Sequence, residues 1–287
     1  MNEQKARKNS QFGGVMKRLR KNRLAVFGLI CVILLVLVAV FADFIAPYDY
    51  AEQHLLDAFQ PPSSKYLFGT DEFGRDIFSR VIYGSRISLQ VGFIAVGLAM
   101  FIGGFLGAIS GYYGGRTDNI IMRIMDVLLS IPQILLAIAI AASLGPGLFN
   151  LMIAVGISSI PSYARIVRGS VLSIKGQEFV EASKAMGAGD LQIIMKHIIP
   201  NCMAPIIVQA TLGVAFAILT AAGLSFIGLG IQPPVPEWGG MLSSARGYIR
   251  DCAYMTFFPG MAIMITILAL NFLGDGLRDA LDPKLRR

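Results

Sequence analysis

Two groups of ionisable side chains in this sequence are candidates for chemistry. Asp71, Arg75, Asp76 and Arg80 fall within ten residues, and Asp76 stands four before Arg80, the favourable order for an ion pair on a surface helix. The second group is Glu178 and Glu181, inside a long polar segment that runs from Arg165 to Asn201. Neither group contains a Cys, and the first has no His, so a membrane enzyme would lack a nucleophile or proton carrier here. His54 and His197 lie far apart, which speaks against a haem or metal-redox centre. Cys31, Cys202 and Cys252 are odd in number and scattered, with no CxxC pair and no disulfide framework. No G-x-x-x-x-G-K-[ST] phosphate loop occurs, so the chain does not bind ATP by that route. The expectation is no catalytic residue, no metal site and no cofactor on this chain.

The Arg165–Asn201 segment reads as two short helices joined by a bend. Gln177 to Met186 contains no helix breaker, and Gly187-Ala188-Gly189 interrupts it. Asp190 is a suitable N-cap for a second helix from Leu191 to Ile199, and Pro200 should prevent smooth continuation into the next apolar run. The result is a compact knob offering Phe179, Val180, Ala182, Ala185 and Met186 beside the two acids. Composition alone fits equally well a helix pair lying on lipid headgroups.

The elements that position these groups are apolar. Only 15% of the 287 residues are charged and the mean hydropathy is +0.63, whereas soluble domains carry about 25% charge. Charge-free runs occupy Leu24–Ala42, Ile87–Gly115, Val127–Ala164, Ile198–Pro236 and Cys252–Gly274. Each is long enough for a bilayer core, which takes about 20 apolar residues per helix. Gly145-Pro146-Gly147 divides the third run into two helices, so six spans are expected. The first run exceeds a signal-peptide core and no A-x-A site follows, so it reads as a span rather than a leader. No Asp, Glu, Lys or Arg lies inside any run, which leaves nothing to relay protons or hold a translocated cation at membrane depth. Gly103, Gly107, Gly111 and Gly115 recur every fourth residue as a close-packing face. Trp238 and Tyr248 suit interfacial aromatic positions.

Basic residues orient the spans. With the N-terminus inside, segments 1–23, 116–123, 165–197 and 275–287 face the cytoplasm and hold 19 of the 25 Lys and Arg residues. The positive-inside rule is obeyed along the chain. The net charge of +7 is thereby accounted for without a nucleic-acid partner.

Glu181-Ala182-Ser183, three residues, Gly187, nine residues, then His197-Ile198-Ile199-Pro200 resembles the EAA loop of ABC importer permeases, whose pattern is E-A-A-x3-G-x9-I-x-L-P. Ser183, His197 and Ile199 depart from it. Further segments resemble the dipeptide/oligopeptide/nickel permease family: Phe68-Gly69-Thr70-Asp71 with Gly74-Arg75-Asp76-Ile77; Leu224-Ser225-Phe226-Ile227-Gly228-Leu229-Gly230 with Glu237-Trp238-Gly239; and Leu273-Gly274-Asp275 through Asp282-Pro283. Together they cover the chain from about residue 20 onward, and the first favours the C-type member of the heterodimeric pair.

The resemblance implies an all-α integral membrane protein of the ABC importer type I permease kind, with six transmembrane helices and both termini cytoplasmic. Its parts would be a basic segment 1–23, a first span 24–42, an extracytoplasmic segment 43–86 with an amphipathic helix, a five-helix core 87–274 containing a coupling loop 165–201, and a tail 275–287. Glu181, Ala182, Ser183, Gly187, Ala188 and Pro200 would couple to the ATPases. Asp71, Arg75, Asp76 and Arg80 would gate the outer mouth or contact a binding protein. The implied partners are a homologous permease subunit, two cytoplasmic ATPases that carry ATP and Mg, an extracytoplasmic substrate-binding protein and membrane lipid. The implied cargo is di- or oligopeptides, with nickel or a metal chelate as the alternative, crossing between the two permease subunits through a cavity lined by spans two to five.

Overall fold

The computed structural model describes residues 16–281; segment 1–15 and the end of the tail, 282–287 with Asp282 and Pro283, lie outside the described residues. Among the described residues the regular structure is helical, apart from a single bridge between Thr70 and Asp76. α1 spans Arg23–Val40 and is opened by Asn22, whose side chain accepts the Leu24 and Ala25 N–H groups. α2 spans Ile77–Tyr113. It starts well before the apolar run because Asp76 caps it, accepting the Ser79 N–H at 2.8 Å. The amphipathic helix expected within 43–86 is therefore not a separate element: residues 77–86 are the first turns of α2, and the remainder holds only the short turns Ala42–Ile45 and Leu55–Asp57.

The third span also differs from expectation. Helix is continuous not over Val127–Leu144 but in two pieces, α3 (Gly115–Leu129) and α4 (Gln133–Leu144), whose axes differ by 87°. Pro132 is the cause, since it cannot donate to a preceding carbonyl and disfavours helix at Ile131. Gly145 and Gly147, at φ +82° and +147°, make the break expected before α5 (Leu148–Lys175). α6 (Glu178–Ala185) follows, then α7 (Asp190–Phe226), α8 (Trp238–Ala245) and α9 (Tyr254–Leu281). Among the described residues five helices are long and apolar enough to cross a bilayer, and the count reaches the expected six if the bent pair α3–α4 forms one broken span.

Pro200 does not stop α7. A π-turn at Ile194–Ile198 widens the helix just before it, with the Ile199 N–H reaching back to the Ile194 carbonyl. The shifted register makes room for a ring that would clash in an unbroken α-helix. The second helix of the knob is thus the beginning of a membrane span. Its N-cap is Gly189, and Asp190 is its first residue.

Small residues set the bundle. α2 crosses α5 so closely that a Cβ on Gly103 would stand 2.6 Å from the Ile160 carbonyl oxygen, and one on Gly111 2.8 Å from Val171 Cβ; Gly107 meets the Ala164 carbonyl in the same way. Gly115 leaves this stripe, turning at φ +52° into open space to begin α3. Gly28 of α1 sits equally close to Ala269 of α9. Arg18 Nη1 donates to the Ala280 carbonyl at 3.3 Å, so both ends of the described chain meet at the end of the bundle that carries α6.

Candidate functional site

At that end, α5 stops at Lys175 and the chain enters α6 through Gln177. Val180 and Ser183 turn inward and are buried, while Glu178, Phe179, Glu181 and Ala182 face outward and Met186 is 82% exposed. The helix closes in a Schellman arrangement. Gly187, at φ +83°, donates to the Lys184 carbonyl at 3.0 Å, and Ala188 donates to the Ser183 carbonyl at 3.1 Å. The glycine of the motif is therefore the left-handed residue that ends the helix. Ala188 is drawn against the apolar cluster around Val180 and Ile198. His197, on the π-turn, lies beside Phe179 with ring centres 6.5 Å apart. Tyr112 Oη donates to Asp190 Oδ1 at 2.7 Å, which ties α2 to α7. A groove of about 610 Å³ runs between these parts, lined by Tyr113, Lys175, Glu181 and Lys184. Glu181, Ala182, Ser183, Gly187 and Ala188 thus form one helix and its cap, whereas Pro200 stands apart on α7.

The opposite end gathers Asp71, Arg75, Asp76 and Arg80, but not as a surface pair. All four are buried, at 3–6% exposure. Asp76 is occupied as the α2 cap, accepting both the N–H and the hydroxyl of Ser79. Asp71 holds the arginines: Arg75 Nε lies 2.6 Å from its Oδ2 and Arg80 Nε 3.6 Å. Arg80 Nη1 also donates to the carbonyls of Tyr50 at 2.8 Å and Pro234 at 3.2 Å. The cluster clamps segment 43–76 to the start of α2 and to the turn before α8, and its side chains present no surface for a docking protein. The expectation of a binding-protein contact through these four side chains meets this burial, and the alternative expectation, a gate at the outer mouth, is unaffected by it.

Trp238 is likewise not an interfacial aromatic. It is 1% exposed, and its Nε1 donates to the Val81 carbonyl at 3.0 Å. It fits because Gly84 lacks a Cβ, which would stand 2.9 Å from the indole ring. The neighbouring Glu237 caps α8, accepting the Gly239 and Gly240 N–H groups at 3.0 and 2.9 Å. Burial pushes its carboxyl above the usual carboxylate range, against the lowering effect of those bonds.

Between the two ends, α2, α4, α5, α7 and α9 line an open concavity of about 520 Å³, near mid-length of each helix except α4, which contributes its first residue, Gln133. Gln133, Ser159, Ser162, Tyr163, Gln209 and Asn271 line it, among apolar neighbours such as Phe216 and Leu219. Sequence reasoning missed these residues because each is a lone uncharged polar group in an apolar run. Helix α9 contributes to this wall, beyond the spans two to five expected to line the cavity. Among the described residues no three His, Cys, Asp or Glu side chains converge as a metal would require, and the three cysteines are unpaired with one another.

A bundle of membrane-length helices with uncharged polar groups at mid-depth and a capped helix projecting from one end defines an integral membrane transport subunit. Residues 103–287 match the family of binding-protein-dependent transport system inner membrane components, and residues 10–62 match the N-terminal TM domain of oligopeptide transport permease C. The chain belongs to this family of ABC importer permeases, and it is a multi-pass inner-membrane transport subunit rather than an enzyme. It is 52% identical over 270 residues to the dipeptide transport system permease protein DppC of Alkalihalophilus pseudofirmus, covering 94% of this chain and 89% of that one. It is 48% identical to the di/tripeptide transport system permease protein DppC of Pseudomonas aeruginosa (92% and 89% covered) and 49% identical to the glutathione transport system permease protein GsiD of Escherichia coli (94% and 89%). An inward-facing MetNI methionine ABC transporter shares the fold, with a TM-score of 0.57 at 22% identity over 72% of this chain and 98% of that one.

Proposed function

We propose that the chain is the C-type permease subunit of a peptide importer, paired with a homologous permease, driven by two ATPases that hold ATP and Mg, and fed by an extracytoplasmic binding protein. The observation that carries this reading is the exposed α6 with its glycine cap, a rigid projection that ends on a shared span start and offers Glu178, Phe179, Glu181 and Met186 outward. Its carboxylates and apolar side chains suit a cleft in a partner protein. The relatives named above are permeases for dipeptides, di/tripeptides and glutathione, which favours peptides over nickel chelates.

In this reading the α6 end, with both ends of the described chain, lies in the cytoplasm, because the basic segments collect there. ATP-driven closure of the ATPases moves α6, and α5 and α7, which flank it, carry that movement into the membrane. The permease itself makes and breaks no covalent bond. The test is co-expression with the neighbouring permease, ATPase and binding-protein genes, purification through a tag on this chain, and uptake of labelled dialanine into liposomes. Recovery of all partners with ATP-dependent dialanine uptake supports the proposal; uptake of nickel without dialanine overturns the cargo assignment.

A further inference from the structure

The mid-depth concavity holds side chains that the bilayer would not tolerate against lipid. Gln133, Ser159, Ser162, Gln209 and Asn271 are each half-buried, at a depth where unpaired polar groups are costly and water is absent from lipid-facing surfaces. Their hydrogen bonding is incomplete. Gln133 Nε2 donates to Ser159 Oγ at 2.9 Å, and Ser159 donates to the Val155 carbonyl at 2.8 Å. Among the described residues the side chains of Ser162, Gln209 and Asn271 have no partner within hydrogen-bonding distance.

The wall is also shaped. The Tyr163 hydroxyl abuts Gly213, where any Cβ would overlap it, and it donates to the Gln209 main-chain carbonyl at 3.3 Å. That bond engages the Gln209 main chain and leaves its side chain free. The volume, about 520 Å³, falls within the roughly 300–1,000 Å³ typical of small-molecule sites.

We infer that this concavity is a binding subsite for the main chain of a short peptide on its way through the membrane, an inference that rests on the peptide-importer reading. A peptide bond presents one N–H and one C=O, and the amide of Gln or Asn offers the matching acceptor and donor together. The wall carries no Asp, Glu, Lys or Arg. It therefore reads the peptide bond and neither the terminal charges nor the side chains. Gln209 and Asn271 are the specificity-determining residues, with Tyr163 and Gly213 positioning the first.

The experiment compares uptake of dialanine with that of alanyl-sarcosine, in which the peptide N–H is replaced by N–CH₃. Both are measured in liposomes with the full complex and binding protein, for the wild type and for Gln209→Leu, Asn271→Leu and the milder Gln209→Ser and Asn271→Ser. The binding protein's own preference is common to every sample and cancels when ratios are compared. The dialanine to alanyl-sarcosine ratio should fall about fivefold in the Leu variants, as the loss of a hydrogen bond to the peptide N–H implies. A ratio equal to wild type in variants that still import overturns the inference. So does loss of the second permease from the purified complex, which would show that these amides pair across the subunit interface. If the Leu variants are not inserted in the membrane, the Ser variants decide on the same ratio. A wild-type complex that imports neither peptide instead defeats the peptide reading itself.

Discussion

Tyr112 Oη donates to Asp190 Oδ1 across 2.7 Å, joining the last turn of α2 to the first residue of α7. The bond matters because of where α2 begins. One unbroken helix of 37 residues runs from the Asp76 cap, inside the clamp around Asp71, to the base of the α6 projection. The two ends of the molecule are thus mechanically joined, and the tyrosine is the joint at the α6 end. Tyr112→Phe keeps the ring and removes the bond. Dialanine uptake should fall roughly threefold to tenfold while the ATPases stay attached, in line with the loss of one solvent-exposed hydrogen bond. Uptake equal to wild type would show that the joint is dispensable.

The clamp at the other end should behave as a stability element. Asp71→Asn leaves Arg80 buried without its anion and Arg75 with Glu72 alone, at 3.7 Å, and breaking a buried pair in this way costs about 3–5 kcal/mol. The purified complex should show a lower melting temperature and segment 43–76 should become sensitive to protease. A melting temperature and a cleavage pattern matching the wild type would argue that the ion pairs are incidental.

Glu237 makes stability depend on pH in a definite direction. Its carboxyl titrates above the usual range because of burial, so between the unfolded value and the raised one the folded protein holds more protons. This group's contribution is fully present below the ordinary carboxylate pKa and is lost as pH rises through the raised value. Glu237→Gln keeps a capping oxygen and removes the titration. The wild type should lose more thermal stability than the variant as pH rises above the ordinary carboxylate range. Parallel stability profiles would show that the carboxyl titrates normally.

Orientation is open to a direct test in intact cells. Ser64 and Ser173 are both exposed, on opposite ends of the bundle. A cysteine at Ser64, in a background without Cys31, Cys202 and Cys252, should react with a membrane-impermeant thiol reagent, and one at Ser173 should not. The reverse pattern would invert the topology.

What could be read from the chain, and what could not, follows from the range of the forces involved. Gly187 was legible because a left-handed helix end is a local requirement, met within α6 itself. The apolar runs were legible because lipid acts on each helix separately. Asp76 and Arg80 were misread as a surface pair because their burial comes from Tyr50 and Pro234, distant along the chain. Trp238 was misplaced at the interface for the same reason, since its pocket exists only where Gly84 of another helix omits a side chain. Pro200 reads as a stop because the π-turn that compensates for it, at Ile194–Ile198, has no local residue signature. Gln209 and Asn271 carried no signal at all until five helices converged around them.

The coupling role of α6 can be separated from its folding. Gly187 holds φ at +83° with open space around the position of a Cβ, so substitution there is opposed by backbone strain and not by a clash. Leaving the left-handed conformation costs nothing for glycine, whereas adopting it costs an ordinary residue about 1–2 kcal/mol, and a β-branched residue is worse placed still. Gly187→Val should therefore undo the Schellman bonds of Gly187 and Ala188 and swing α6 away from its seat against Ile198. Gly187→Asn should retain much of the function, because asparagine tolerates the same backbone region. Glu181→Lys leaves the helix intact and reverses an exposed charge on the face that would meet the ATPase. None of these changes touches a membrane span. The expected outcome is a subunit still inserted in the membrane, with Val and Lys variants losing peptide uptake and either shedding the ATPases or hydrolysing ATP without transport, and the Asn variant lying between them and the wild type. Both quantities are measured on the purified complex in liposomes with its binding protein. Wild-type uptake and hydrolysis in Gly187→Val and Glu181→Lys would mean that α6 is an interfacial helix lying on headgroups, because only an ATPase contact makes its rigid cap and its charge matter to transport.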